Sequence, residues 1–102
     1  LLPRPVGERP TEQVRALAGA GMNRMATAVC DRAGTERGQD WIGGSVIVDA
    51  DGYPMAIADY GTPGRITADV DLAESRIKQF NDNNDVHGDR RTDLYRRVGL
   101  LD

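Results

Sequence analysis

Val46-Ile47-Val48 puts three β-branched residues in a row, with Ser45 before them and Asp49 after. Such side chains are stiff at χ1 and suit a pleated, half-buried surface better than a helix. Asp49-Ala50-Asp51-Gly52 then supplies the residue types that turns demand, and a second extended run follows over 53–60. This is the strongest hairpin signal in the chain.

The other elements are set by spacing. Thr11 is a plausible N-cap, Glu12 suits a first turn, and Val14, Leu17, Ala18 and Met22 recur at helical intervals, which predicts a helix over 11–23. Gly19 and Gly21 each cost about 1 kcal/mol relative to alanine inside a helix, so this one needs tertiary packing. The apolar run 25–30 is expected to be a strand buried on both faces. The stretch 33–44, charged and glycine-rich, is expected to be a long loop of the kind that carries function. Ile66, Ala68 and Val70 alternate with Thr67, Asp69 and Asp71, predicting a strand with one apolar and one polar face. A short helix is expected over 72–80, opened by Asp71 and Glu74 as a capping box. Three prolines and a glycine make 1–10 an extended connector. The polar run 81–91 followed by Leu94, Tyr95, Val98, Leu100 and Leu101 reads as a tail that packs on another surface.

A chain of 102 residues makes one small domain at most. No apolar run nears the ~18–20 residues of a membrane span, so no membrane is expected as a partner. A net charge of -3 has the wrong sign for a phosphate-backbone binder, so no nucleic acid is expected either. The single cysteine cannot form an internal disulfide, and with no secretory signal the expected setting is reducing and cytoplasmic. The chain opens on Leu1-Leu2-Pro3, and the expectation is a processed chain or a piece of a longer one.

Residues able to do chemistry are sparse. Cys30 ends an apolar strand, where a thiol is expected to act as a small buried hydrophobe, since a nucleophilic cysteine needs a base and an electropositive niche. His87 stands alone and reads as a surface histidine; neither a metal site nor a serine-type triad can be assembled, and no cofactor is expected. Glu36 lies between Arg32 and Arg37, which could hold it ionised toward a pocket; a solvated, arginine-paired loop glutamate is the alternative. Trp41 reads as a packed anchor or interface residue. Asp69 and Asp71 read as solubilising and capping groups. Asp89, Arg90, Arg91 and Tyr95 could clamp a subunit boundary or belong to a frayed tail. The glycines at 34, 38, 43 and 44 make no nucleotide fingerprint.

Five segments, taken in order, resemble the C-terminal part of the carbon-nitrogen hydrolase family, the nitrilase superfamily. Arg9-Pro10 leads into the helix that carries Arg15 and Asn23. Asp31-Arg32-Ala33-Gly34-Thr35-Glu36-Arg37-Gly38 resembles the family's Asn-Arg-x-Gly-x-Glu pattern, with Asp31 where asparagine is common. Trp41 to Gly52 is similar to its aromatic, x-Gly-x-Ser-x-Ile and turn sequence, without the frequent proline. Ala68-Asp69-Val70-Asp71-Leu72 resembles the last core strand entering a helix, and Asp89-Arg90-Arg91-Thr92-Asp93-Leu94-Tyr95 the closing arm.

The resemblance implies an α/β fold, the C-terminal third of a four-layer α-β-β-α sandwich spanning 1–102, with 81–102 as an interface tail. It also implies hydrolysis of amide, nitrile or carbamoyl C–N bonds by a Glu, Lys and Cys arrangement. All three of those residues would lie upstream, so Cys30 and Lys78 inherit no catalytic role and the chain alone should be inactive. Glu36 becomes a substrate-pocket candidate, and Arg90, Arg91 and Tyr95 interface candidates in a homo-oligomer. A non-catalytic module that pairs with a full-length hydrolase is the rival expectation.

Overall fold

The computed structural model describes residues 9–97. A helix, α1 (Thr11–Asn23), is followed by strands β1 (Thr27–Val29), β2 (Ala33–Glu36), β3 (Gln39–Ile42), β4 (Val46–Val48) and β5 (Pro54–Ile57). After an irregular stretch come one 3-10 turn (Glu74–Arg76), β6 (Gln79–Asn81), β7 (Asn84–Asp85) and a short helix, α2 (Thr92–Arg97). The class is mixed α/β with three small antiparallel sheets, ordered β1-β4-β5, β2-β3 and β6-β7.

The central strand is the β-branched run. Val46 and Val48 are buried and point toward α1, where Ala20 is buried and Ala16 and Leu17 pack beside it. The expected hairpin is present: Val46 pairs with Ile57 and Ile47 with Ala56. Asp49 makes the turn, its Oδ1 accepting from the backbone N–H of Asp51 (2.9 Å) and Tyr53 (3.0 Å), as an Asx-turn does. Gly52 then has φ 91° and lies so close to α1 that a Cβ would stand 2.9 Å from the Leu17 carbonyl oxygen. Across this contact, a Cβ on Gly21 would come within 3.1 Å of the Asp51 carbonyl oxygen. The packing that the glycine-bearing helix needs is this seat for the hairpin turn.

The helix spans the residues expected of it, but Pro10, not Thr11, occupies the N-cap, extended at φ -65° and ψ 153°, and its carbonyl accepts from Val14 N–H at 3.2 Å. Proline supplies that fixed φ without any side-chain cap. The helix ends at Arg24, which is left-handed at φ 50°. The Arg24 guanidinium joins three segments, ion-pairing with Asp51, donating to the Ile77 carbonyl at 3.0 Å and lying over the Phe80 ring. Lys78 Nζ donates to the Asn23 and Arg24 carbonyls at 3.0 and 2.7 Å, satisfying oxygens that a helix terminus leaves open. Ser75 Oγ accepts from Ala26 N–H at 2.9 Å. Segment 75–80 is therefore held to the end of α1 by polar contacts. Arg24→Ala is expected to raise amide exchange selectively over 75–80 and to lower stability by about 1–2 kcal/mol, read by hydrogen exchange and thermal melting.

Four sequence expectations are corrected. The strand over 25–30 is shorter and is an edge strand with only one face covered: Ala28 and Cys30 are exposed. The stretch 33–44 is no open loop but the hairpin β2–β3, turning through Arg37 and Gly38, both at positive φ (53° and 78°). That geometry matches the twist of two-residue hairpins. Segment 65–71 keeps its alternation, with Ile66, Ala68 and Val70 half-buried and Thr67, Asp69 and Asp71 exposed, yet it joins no ladder among the described residues. The helix expected over 72–80 is a single 3-10 turn whose N-cap is Ala73, with no side-chain cap; Asp71 Oδ1 accepts from Ala73 N–H at 3.0 Å just ahead of it, and Gln79 and Phe80 already belong to β6. The connector over 1–8 and the apolar Val98, Leu100 and Leu101 lie outside the described residues.

Candidate functional site

A small cavity of about 260 Å³ opens where the end of β1 meets the start of β4; Asp31, Arg32, Gly43, Ser45, Thr62 and Pro63 line it. Ser45 fixes its floor. Its hydroxyl accepts from the Asp31 N–H (2.8 Å) and donates to the Asp31 carbonyl (3.3 Å), continuing the β1–β4 pairing by one side-chain rung. Arg32 reaches outward, ion-pairing with Glu36 and covering the half-buried Trp41 ring at 5.1 Å, a contact worth about 0.5–1 kcal/mol at an exposed site.

Behind the cavity lies a buried polar group. Gln13, on the inward face of α1, donates from Nε2 to the Gly44 carbonyl at 2.6 Å. Its Oε1 accepts from Tyr60 Oη at 3.1 Å and from Arg9 Nη1 at 3.3 Å. Gly44, at φ 81°, is covered so closely by Tyr60 that a Cβ would lie 2.5 Å from a ring carbon. Helix, sheet and cavity wall are thus joined through one amide. Sequence reasoning missed Gln13 and Tyr60. The first had a signal: positions 13, 16, 17 and 20 share a helical face, and a glutamine among alanines and leucine there must be buried with partners.

Of the residues named from sequence, Glu36 is exposed at the end of β2 and reaches the cavity only through Arg32. Arg37 does not share in that pair; it forms the turn. Trp41 is packed by Arg32 as an anchor would be, with its buried Nε1 making no hydrogen bond. His87 is exposed. Cys30 is exposed as well, which overturns its reading as a buried hydrophobe: β1 is an edge strand, and α1 covers only one of its faces. Among the described residues no group of three or more His, Cys, Asp and Glu is placed to hold a metal, and no helix is long and apolar enough to cross a membrane.

Arg90, Arg91 and Tyr95 lie apart from the cavity, at and near α2, and all are exposed. Arg90 Nε donates to the His87 carbonyl at 3.1 Å, and Arg91 binds Asp93 through two bonds of 3.1 and 2.8 Å. The guanidinium holds the Asp93 carboxyl below the usual carboxylate range, and Arg91 is raised in return. A carboxyl depressed in the folded state favours folding above its unfolded value, and that contribution fades as pH falls through the folded one. An NMR titration should therefore give Asp93 a midpoint below that of a free aspartate, returning to the ordinary range in Arg91→Gln.

The chain matches no protein-family profile. It is 36% identical over 75 residues to a protein described as "Nitrilase" from Pyrococcus abyssi (strain GE5 / Orsay), a stretch covering 74% of this chain and 29% of that relative. The chain thus spans less than a third of the length of the curated relative that it matches. This similarity bears out the resemblance to the nitrilase superfamily, the carbon-nitrogen hydrolases.

Proposed function

We propose that these residues form the C-terminal portion of a carbon-nitrogen hydrolase that acts on amide, nitrile or carbamoyl substrates in the cytoplasm. The observation that carries this reading is the 36% identity to a nitrilase. In the proposed mechanism a cysteine attacks the carbon, a glutamate moves protons and a lysine stabilises the developing negative charge, all three supplied by polypeptide preceding this chain. Two structural facts support keeping the roles away from this chain's own thiol and amine. Cys30 is exposed just past the end of the edge strand β1, and the Lys78 ammonium is bonded to two carbonyls at the end of α1.

A four-layer sandwich is supported by what the sheet leaves open. Ala28, Ile47 and Ala56 stand side by side in register on the face away from α1, a small and flat apolar row suited to packing a second sheet. Glu36, through Arg32, is assigned to the rim of the substrate pocket, and Arg90, Arg91 and Tyr95 to a contact between subunits.

The test is turnover by the native protein, purified from its source, with amide, nitrile and carbamoyl compounds, read as ammonia release. Activity on one class, unchanged within about twofold by Cys30→Ala, is the expected result. Loss of turnover in Cys30→Ala would overturn the placement of the nucleophile. No turnover of any class, in a preparation that co-purifies with a larger hydrolase, would make the chain a non-catalytic partner.

A further inference from the structure

Two ionisable side chains line the cavity beside Ser45, and only one of them is uncommitted. The Arg32 guanidinium is paired with Glu36 and lies over the Trp41 ring, so its charge is answered outside the cavity. Asp31 has no such counterpart. Its Oδ1 accepts from the Arg32 backbone N–H at 2.8 Å, and its Oδ2 has no bonding partner among the described residues. Asp59 and Arg65 line the neighbouring cavity instead and carry opposite charges. The rest of the wall around Asp31 is small and uncharged, made by glycines, alanines, Thr62 and Pro63. The Ser45 hydroxyl is already used on both backbone groups of Asp31.

That double bond to Ser45 clamps the Asp31 backbone, and the bond from Oδ1 to Arg32 N–H fixes the half-buried side chain. A carboxylate held in one orientation loses little freedom when it takes a ligand. It accepts hydrogen bonds only, and it binds a charged donor about twice as strongly as a neutral one. With Oδ1 occupied, a single oxygen is open. That disfavours a guanidinium, whose planar fork needs both oxygens, and favours an ammonium, a compact charge with three rotatable donors. We infer that Asp31 makes this cavity the seat of a primary ammonium group, so that the substrate is an amide, nitrile or carbamoyl compound whose other end is cationic. The inference rests on the hydrolase reading and narrows its substrate class.

The test uses the natural protein and paired substrates, read as ammonia release. The pairs are ω-amino amides with one to four methylenes between ammonium and amide, each beside the alkyl amide in which methyl replaces the ammonium. The corresponding nitriles or alkylureas serve if those are the class turned over. At least one ammonium compound is expected to exceed its methyl counterpart in kcat/KM by about tenfold or more, chiefly through KM. Asp31→Asn keeps the acceptor for Arg32 N–H, removes the charge, and should lower that ratio at least about tenfold. Without any variant, n-butylammonium should inhibit competitively at a concentration at least about tenfold below that of n-butanol. The inference is overturned by methyl compounds turned over as well as their ammonium counterparts, by a ratio that Asp31→Asn leaves unchanged, or by n-butylammonium that inhibits no better than n-butanol. Those outcomes leave the hydrolase reading standing, because ammonia is still released. Release from neither member of any pair overturns that reading and this inference with it.

Discussion

Gly44→Ala is expected to destabilise the protein by about 3 kcal/mol, as two independent costs coincide at that residue. The first is backbone: φ is 81°, a conformation that a side chain disfavours. The second is space, since the new methyl would stand 2.5 and 2.8 Å from carbons of the Tyr60 ring and 2.9 Å from Gln13 Nε2. The ring cannot retreat without breaking the bond from Tyr60 Oη to Gln13, so relief of the clash disrupts the buried amide. Thermal or urea unfolding of the purified protein measures the effect. A loss below about 1 kcal/mol would mean that the loop over 43–45 shifts freely and that the cavity wall is not rigid.

Gln13→Leu approaches the same group from the helix side and is expected to cost about 2–3 kcal/mol. Leucine fills a similar volume, so the loss is chiefly electrostatic: the buried Gly44 carbonyl loses its donor and Tyr60 Oη its acceptor. Adding Tyr60→Phe should restore part of the loss, because it removes one of the two groups left unpaired. A double-mutant cycle separates these contributions from simple packing. If Gln13→Leu were neutral, solvent would have to reach the Gly44 carbonyl.

The two elements legible in the sequence, the helix over 11–23 and the hairpin over 45–60, owe their form to short-range causes. Apolar spacing and Pro10 set the first, and the β-branched run with the Asp49 side chain sets the second. The hairpin over 33–42 was not legible, because its strands are polar and glycine-bearing, and a turn through Arg37 lacks the usual Asn-Gly or Asp-Gly signal. Segment 65–71 shows the opposite failure. Its alternation does place one face in and one face out, but a strand also needs a partner, which alternation cannot supply. The helix expected over 72–80 yields to contacts distant in sequence, where Arg24 and Lys78 hold the backbone around 77–80 against the end of α1. The exposure of Cys30 departs from expectation for a related reason: an apolar run says nothing about whether its strand lies at an edge. Of the candidate site, Glu36, Arg32 and Ser45 stood within recognisable motifs, whereas Tyr60 reaches Gln13 across 47 positions of chain, and nothing local marks it.

The β2–β3 pair shares no ladder with the three-stranded sheet, and its tip at Arg37 and Gly38 lies beyond its last paired residues, Glu36 and Gln39. Lengthening it by whole two-residue steps keeps the register of Ala33 with Ile42 and leaves the buried valines untouched. The chain therefore contains a segment free to vary in length, whose base, at Arg32 and Ala33, edges the cavity beside Ser45. Among relatives, reach and charge at that rim can diverge by insertion and deletion while the sheet beneath stays under a separate and stricter constraint.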